Sequence, residues 1–332
     1  MAGSILGNRV PRTEDVNLLT DGGTYVYDLD LDNVAHAYFV RSTVAHAKIR
    51  ELSIEDAAKA PGVLGVLRAE ELGIGPITAG LAKVNDIFAR TPLATDTVRY
   101  VGDPIVVIVA ETFQQAMDAA ELVYIDYEYL PTIINPEDAF IEGNQIIFPE
   151  KGDNLAISLV DPEADVLSDA THVIRGRYVN QRVAGVPLEP NSAAAIHHDD
   201  GRLTFYCATQ MPHSLKDKLG ETLNRDPASI RVIAPDVGGG FGAKAGLYIE
   251  FPVLAVLAQQ FNRPITWTET RSEDMVALAH SRAQIQYCET GFDENGKLTG
   301  MRVRLVGDAG AYPSMGALLP GLTKQMANGT YN

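Results

Sequence analysis

Ala234–Gly246 reads APDVGGGFGAKAG, in which Gly238, Gly239, Gly240, Gly242 and Gly246 are glycines. Glycine loses more backbone freedom on folding than any other residue. Four within five positions therefore imply a chain that turns sharply or meets another group closely. Phe241 interrupts the run with one large apolar ring. A β-like run, Ile230 to Ala234, precedes the stretch, and a helix-like run, Tyr248 to Phe261, follows it with Pro252 in or near the first turn. Strand, glycine loop and helix in that order belong to a mixed α/β (α+β) architecture.

What the loop holds is narrowed by spacing. A Walker-type phosphate loop requires Gly-Lys-Ser/Thr, with the hydroxyl placed to meet magnesium. Ala243 separates Gly242 from Lys244, and Ala245 follows the lysine, so the requirement fails. A Rossmann fingerprint requires GxGxxG with an acid about 20 residues on. Gly238, Gly240 and Gly242 do not give that pattern, and Glu269 lies too far downstream. Two readings remain open on the residues alone. One is a loop whose amides meet an anionic or oxo-rich cofactor at a helix start, where unpaired N–H groups and the dipole favour negative charge. The other is a tight strand-to-helix connection with no ligand.

Outward from the loop, the 332 residues suffice for two or three compact units, with 46% hydrophobic and 21% charged residues, an ordinary globular balance. Forty-three acids against 27 bases leave a formal charge of −16, which disfavours nucleic acid and anionic lipid as partners. Cys207 and Cys288 are isolated, which argues against a disulfide framework and against an iron–sulfur cluster, which needs about four ligands. Reduced, mostly buried thiols are expected. MAGSILGNRVPR lacks a signal-peptide core, and the longest apolar runs, such as Ile105 to Ala110, fall far short of a membrane span. The expectation is a soluble, cytoplasmic protein.

Two βαβ-like passages occupy the first 130 residues or so. The first runs from a strand at His36–Val40 through a helix at Ser53–Ala60, stopped by Pro61–Gly62, to the strand-like VLGVL. The second comprises a buried strand, Pro104–Ala110, a helix, Thr112–Val123, with Thr112 as N-cap, and a half-buried strand, Tyr124–Leu130. The expected division is an N-terminal extension (1–19), an α/β domain (20–135), a Pro/Gly/Asn/acid-rich linker (136–165) and a second domain (166–332). That second domain should hold strands in THVIRGRYV and RLTFYCATQ, a helix near Pro212–Asn224, a strand in ITWTETR and a hairpin about Asp293–Gly296.

DVGGGFGAK resembles the signature of the large, molybdenum-binding subunits of the xanthine oxidase family, which includes aerobic carbon monoxide dehydrogenases, aldehyde oxidoreductases and bacterial N-heterocycle hydroxylases. RTEDVNLLTDGGTYVYDLDL, RSTVAHAKI (Arg41–Ile49), APGVLGVL, RYVGDPIVVIVAET and AAELVYIDYEYLP are similar to the family's N-terminal, hammerhead-type domain. PLEPNSAAA (Pro187–Ala195), ATQMPHSLKDKL (Ala208–Leu219), RPITWTETRSEDM and GDAGAYP are similar to its first cofactor-binding domain. The likeness covers nearly the whole chain.

The resemblance implies a molybdopterin, in its cytosine dinucleotide form with molybdenum, bound beside Gly240, Phe241 and Gly242, with Gln210 hydrogen-bonded to an oxygen ligand on the metal. An amide side chain can donate and accept without placing a charge beside a redox centre. In the family the pterin, not His or Cys, ligates the metal, so no residue here is a direct metal ligand. His197, His198, His213 and His280 then read as surface or structural. The cofactor hydroxylates an electron-poor carbon, a glutamate accepts the proton, and electrons leave through an iron–sulfur small subunit and an FAD-binding medium subunit. Ala245 stands where purine-oxidising members carry a substrate-contacting glutamate, which disfavours xanthine. The catalytic base belongs to a second cofactor-binding domain that follows in the family, so no catalytic residue is expected in these 332 residues. Glu189 and Glu250 do not match it and read as structural. The implied protein is a portion of a molybdenum hydroxylase large subunit, dependent on further polypeptide and prone to association through exposed apolar surface. A non-catalytic remnant or assembly subunit is the alternative.

Overall fold

The computed structural model describes residues 6–78, 84–162, 164–327 and 329. Residues 1–5 of the expected extension, and 328 and 330–332 of the expected second domain, lie outside them. The front half comprises α1 (Asp15–Thr20), β1 (Ala35–Arg41), β2 (Ala47–Ser53), β3 (Val63–Leu67), β4 (Thr97–Val98), β5 (Pro104–Ala110), α2 (Phe113–Ala120) and β6 (Tyr124–Tyr129). Among the described residues of 130–171 only short 3-10 turns occur, and then come β7 (His172–Val183), β8 (Ser192–His197), β9 (Leu203–Cys207), α3 (Pro212–Thr222) and β10 (Ile230–Ile233). The chain continues through α4 (Glu250–Gln260), β11 (Ile265–Thr268), α5 (Arg271–Ala277), β12 (Ser281–Phe292), β13 (Leu298–Gly307) and α6 (Met315–Met326). The architecture is mixed α/β.

A seven-stranded sheet in the order β10-β9-β8-β11-β1-β5-β3 organises the molecule. β5 is an unbroken apolar run and is buried on both faces, as its composition requires. On one face, Val107 and Val109 join Phe39 of β1, Phe205 of β9 and Trp267 of β11 beneath α3 and α4. On the other, Val106 and Ile108 pack with Ala116 and Ala119 of α2 and with a small sheet, β4-β2-β6. Alternation sorts β1 between these cores: Ala35, Ala37 and Phe39 face the helices, and Tyr38 and Val40 face the small sheet. A second three-stranded sheet, β13-β12-β7, stands apart from these layers.

The expected βαβ units are corrected by this topology. Ser53 ends β2, and only Ala57–Lys59 winds, as a 3-10 turn, before Ala60 is held extended ahead of Pro61. β1 and β3 flank β5 and both run antiparallel to it, and β6 leaves that sheet to pair with β2. The physical reason lies in the side chains. Half-buried YIDYEY needs a sheet with one wet face, whereas β5 needs the centre of a covered one. Thr112 caps α2 as expected, its Oγ1 accepting from the Gln115 N–H at 3.2 Å. The turn about Asp293–Gly296 closes the β12–β13 hairpin.

Candidate functional site

Parallel pairing of β10 with β9 sets Ile230–Ile233 beside Leu203–Tyr206, so the glycine loop leaves the sheet next to the segment carrying Thr209 and Gln210. The Gln210 N–H and the Thr209 hydroxyl both donate to the carbonyl of Lys244, at 3.0 and 3.2 Å. In return the Gly242 N–H donates to Gln210 Oε1 at 2.9 Å. The structure thus brings Gln210, Gly240, Phe241 and Gly242 into one cluster, with Gln210 using its acceptor on the loop and its NH2 donating to none of the described residues.

Each glycine has its own reason. A methyl group on Gly240 would lie 2.5 Å from Gln210 Cδ, and one on Gly238 would lie 2.5 Å from Glu189 Cβ. Close packing against Glu189 therefore fixes Gly238, whereas at Gly240 the methyl would meet only the exposed Gln210 side chain. Gly239 and Gly242 take φ of +105° and +82°, in the left-handed region that favours glycine, and nothing approaches within 4 Å of where a Gly242 side chain would stand. Phe241 also sits at positive φ, +53°, with its ring edge against Gly239 and 72% of the residue exposed. A strained aromatic presented to the outside is a feature that folding alone does not require.

Among the described residues, the successive N–H groups of Gly239, Gly240 and Phe241 donate to no protein acceptor. Successive free amides on a backbone that enters left-handed conformations form a concavity suited to anions and oxo groups. These amides, the open face of Gly242 and the free NH2 of Gln210 fit a cofactor bearing phosphates and oxo ligands.

Lys244 does not face that opening. Its side chain is fully buried, and Nζ donates to the Glu189 carbonyl at 2.8 Å and to Glu189 Oε2 at 3.0 Å. The same Oε2 accepts the Gly238 N–H at 2.8 Å, so Glu189 and Lys244 clamp the loop's two ends together. Glu250, at the first turn of α4, is also spoken for. It meets Arg41 Nη1 at 2.8 Å, while Glu273 Oε1 meets Arg41 Nε at 2.9 Å and Glu269 lies 3.8 Å from Nη2. All four side chains are buried. Glu273 also completes a capping box with Thr270 at the start of α5. This cluster was missed in the sequence. The TRSE capping box was a readable helix start, but nothing local marks Arg41 as the partner of acids more than 200 residues away.

Neither carboxylate oxygen of Glu269 has a hydrogen-bond partner among the described residues. Burial pushes its carboxyl well above the usual range; Arg41 opposes this, and Glu250, Glu273 and Asp274 reinforce it. Glu269 therefore holds its proton in the folded chain at pH values where it is ionised in the unfolded one. Its contribution to stability is fully present in acid and declines as pH rises above the ordinary carboxylate range. Glu269→Gln is expected to gain on the unaltered chain as pH is raised, in denaturant melts between about pH 5 and 9. A difference that stays constant with pH would overturn this account.

His197 is half-buried, His213 is exposed, His198 meets Thr204 Oγ1 at 2.8 Å, and His280 bridges Arg182 and the Met275 carbonyl. No three His, Cys, Asp or Glu among the described residues are grouped to hold a metal ion. Cys207 and Cys288 are free thiols, and burial pushes that of Cys207 up. No helix among the described residues is long and apolar enough to cross a membrane.

Residues 143–332 match the molybdopterin cofactor-binding domain, and 20–131 match the a/b hammerhead domain of aldehyde oxidase and xanthine dehydrogenase. The chain belongs to the molybdenum hydroxylase large-subunit family, a family of oxidoreductases. It is 36% identical to the nicotine 6-hydroxylase large subunit of Paenarthrobacter nicotinovorans over 93% of its own length and 39% of that subunit's. A carbon monoxide dehydrogenase structure from Oligotropha carboxidovorans superposes with a TM-score of 0.83 at 28% identity, covering 90% of this chain and 39% of that one. The chain thus spans about two fifths of these relatives. It spans 72% of the nicotinate dehydrogenase large molybdopterin subunit of Eubacterium barkeri, at 26% identity over 94% of its own length.

Proposed function

We propose that this chain forms one wall of a molybdopterin site in a molybdenum hydroxylase and that further polypeptide supplies the opposite wall and the base. The observation that carries the reading is the run of unpartnered amides at Gly239–Phe241, flanked by the free NH2 of Gln210. When bound, the group would supply the two-electron oxidation that hydroxylates an electron-poor carbon. The residues of this chain bind and orient. Gly239, Gly240 and Phe241 offer main-chain donors to oxo or phosphate oxygens, the cytosine dinucleotide form providing the latter. Gln210 offers a neutral donor toward an oxygen ligand. Phe241 closes an apolar surface over the cofactor and keeps water from it.

The substrate class is an electron-poor N-heterocycle. Supporting this are the 36% identity to nicotine 6-hydroxylase and an alanine, Ala245, after Lys244, which leaves no carboxylate there for a purine. Electrons would pass to an iron–sulfur subunit, since the two isolated cysteines of this chain cannot hold a cluster, and on to an FAD subunit, all in the cytoplasm. The match to a shorter molybdopterin subunit in Eubacterium barkeri supports a second cofactor domain on a separate chain. The division at 136–165 is carried forward as part of the same reading.

Protein purified from its own host with its partner chains is expected to contain stoichiometric molybdenum and a cytosine-dinucleotide pterin. Metal-free protein with every partner chain present would favour the non-catalytic alternative. Gln210→Ala is expected to lower metal content or turnover by roughly 10–100-fold, the loss typical when a group supporting a metal site is removed. Gly240→Ala should act alike with little change in melting, because its methyl displaces Gln210, a flexible surface side chain. Full activity in both variants would remove Gln210 from the site.

A further inference from the structure

β7 is twelve residues long, and none of its side chains is buried. It pairs with β12 along one edge only, and among the described residues no strand occupies the other. Alternate residues of such an edge send N–H and C=O groups outward, unpaired. Long exposed edges are hazards that proteins cover or blunt, yet β7 carries Ile174 at 62% exposure and Tyr178 at 59%, with no proline.

The two faces of the β13-β12-β7 sheet differ. Register places Arg175, Glu289 and Arg302 in one row and Arg177, Tyr287 and Arg304 in the next, so that face is laced by its own ion pairs and cation–π contacts. The opposite face runs Ile174, Thr290 and Met301 in one row, Gly176, Cys288 and Val303 in the next, and Tyr178, Gln286 and Leu305 in a third, with the Tyr178 ring lying over Gly176. α6 packs over the Gly307 end of that face, through Pro320. β7 then runs directly into the cofactor wall. Past Val183, Pro187 flanks Gly239, and Glu189 takes the Gly238 N–H.

We propose that the open edge of β7 is the docking rail for a strand of the polypeptide that supplies the rest of the large subunit, pairing along His172–Val183 and so delivering that polypeptide to Phe241 and Gly242. The occupant is argued from length, since the chain spans only 39% of its nicotine-hydroxylating relative, and from position, since the rail ends at the loop. This rests on the proposed function, which requires an opposite wall. Main-chain pairing provides attachment, and Ile174 and Tyr178 provide an apolar face for alternate side chains of the incoming strand.

The test compares hydrogen exchange in the native assembly with that in the isolated 332-residue chain, together with photo-crosslinking from position 178. Expected are the outward-facing, alternate amides of 172–183 exchanging at least about tenfold more slowly in the assembly, with crosslinks to polypeptide outside residues 1–332. Crosslinks to a second copy of residues 1–332, or equal exchange in both samples, would overturn the proposal. Ile174→Glu with Tyr178→Glu, at exposed sites, should leave the melting of the isolated chain unchanged and abolish co-purification of the second polypeptide. Retained co-purification would also overturn it. Molybdenum measured on the same assembly separates the two readings. Protected β7 without metal sinks the proposed function alone, whereas full metal with unprotected β7 sinks the docking rail alone.

Discussion

Arg41→Met is expected to destabilise the chain by about 3–5 kcal/mol, the usual result when one partner of a buried ion pair is removed and the other is left without compensation. Here one guanidinium answers three buried carboxyls, those of Glu250, Glu269 and Glu273. Methionine fills much of the volume but offers no donor, so Glu250 loses its 2.8 Å contact and Glu273 its 2.9 Å contact. Arg41→Lys should recover only part of the loss, because one ammonium cannot reproduce a planar fork that addresses separate acids through Nε, Nη1 and Nη2. Equilibrium denaturant unfolding measures the difference. Adding Glu250→Gln and Glu273→Gln to Arg41→Met should restore stability in part, since the orphaned charges are then gone. A loss below about 1 kcal/mol for Arg41→Met would place the pair in the range of solvated surface bridges and overturn its assignment as a buried keystone.

Lys244→Met should cost a similar amount, about 3–5 kcal/mol by the same reasoning, and should also loosen the glycine loop. Lys244 Nζ provides two of the contacts that hold Glu189, and Glu189 in turn holds the Gly238 N–H. Without the lysine, the Glu189 carboxylate keeps that amide and a 3.5 Å contact from the Ser192 hydroxyl. The stability loss is read from unfolding midpoints. The loosening is read from faster exchange of the Gly238 and Gly242 amides, measured below the unfolding transition. Coupling Glu189→Gln to Lys244→Met should return part of the stability without restoring slow exchange. Unchanged exchange in Lys244→Met would show that the clamp does not hold the loop.

How far the molecule could be read from its sequence depended on how local each cause is. The glycine loop, the all-apolar β5, the Thr112 cap and the Asp293–Gly296 turn are decided by neighbours in the chain, and each stands where its residues place it. β8 went unread because SAAAIH favours helix by propensity. Ala193 and Ala195 are strand residues because α4 packs closely above them and β11 pairs beside them. Ser53–Ala60 failed for the converse reason: a few good helix formers before a proline lack the length to nucleate more than a turn. The Gln210–Gly242 contact spans 32 residues, and family likeness, not spacing, links those two in the sequence. The Glu189–Lys244 clamp and the Arg41 cluster join residues 55 and more than 200 positions apart, and only the folded sheet brings them into contact.

β1 lies between β11 and β5, pairing parallel to the one and antiparallel to the other. The two stretches that match separate sequence families are therefore threaded into one sheet, and neither can melt without stripping a neighbour from the other's core. Calorimetry should record a single endotherm for residues 20–307. In evolutionary terms, recombination could exchange a hammerhead segment between relatives only if the recipient's β11 accepted the incoming β1, residue for residue, at Ala35–Ile265 and His36–Thr266. The seam at which this fold could be cut thus lies outside this sheet, not between its two sequence families.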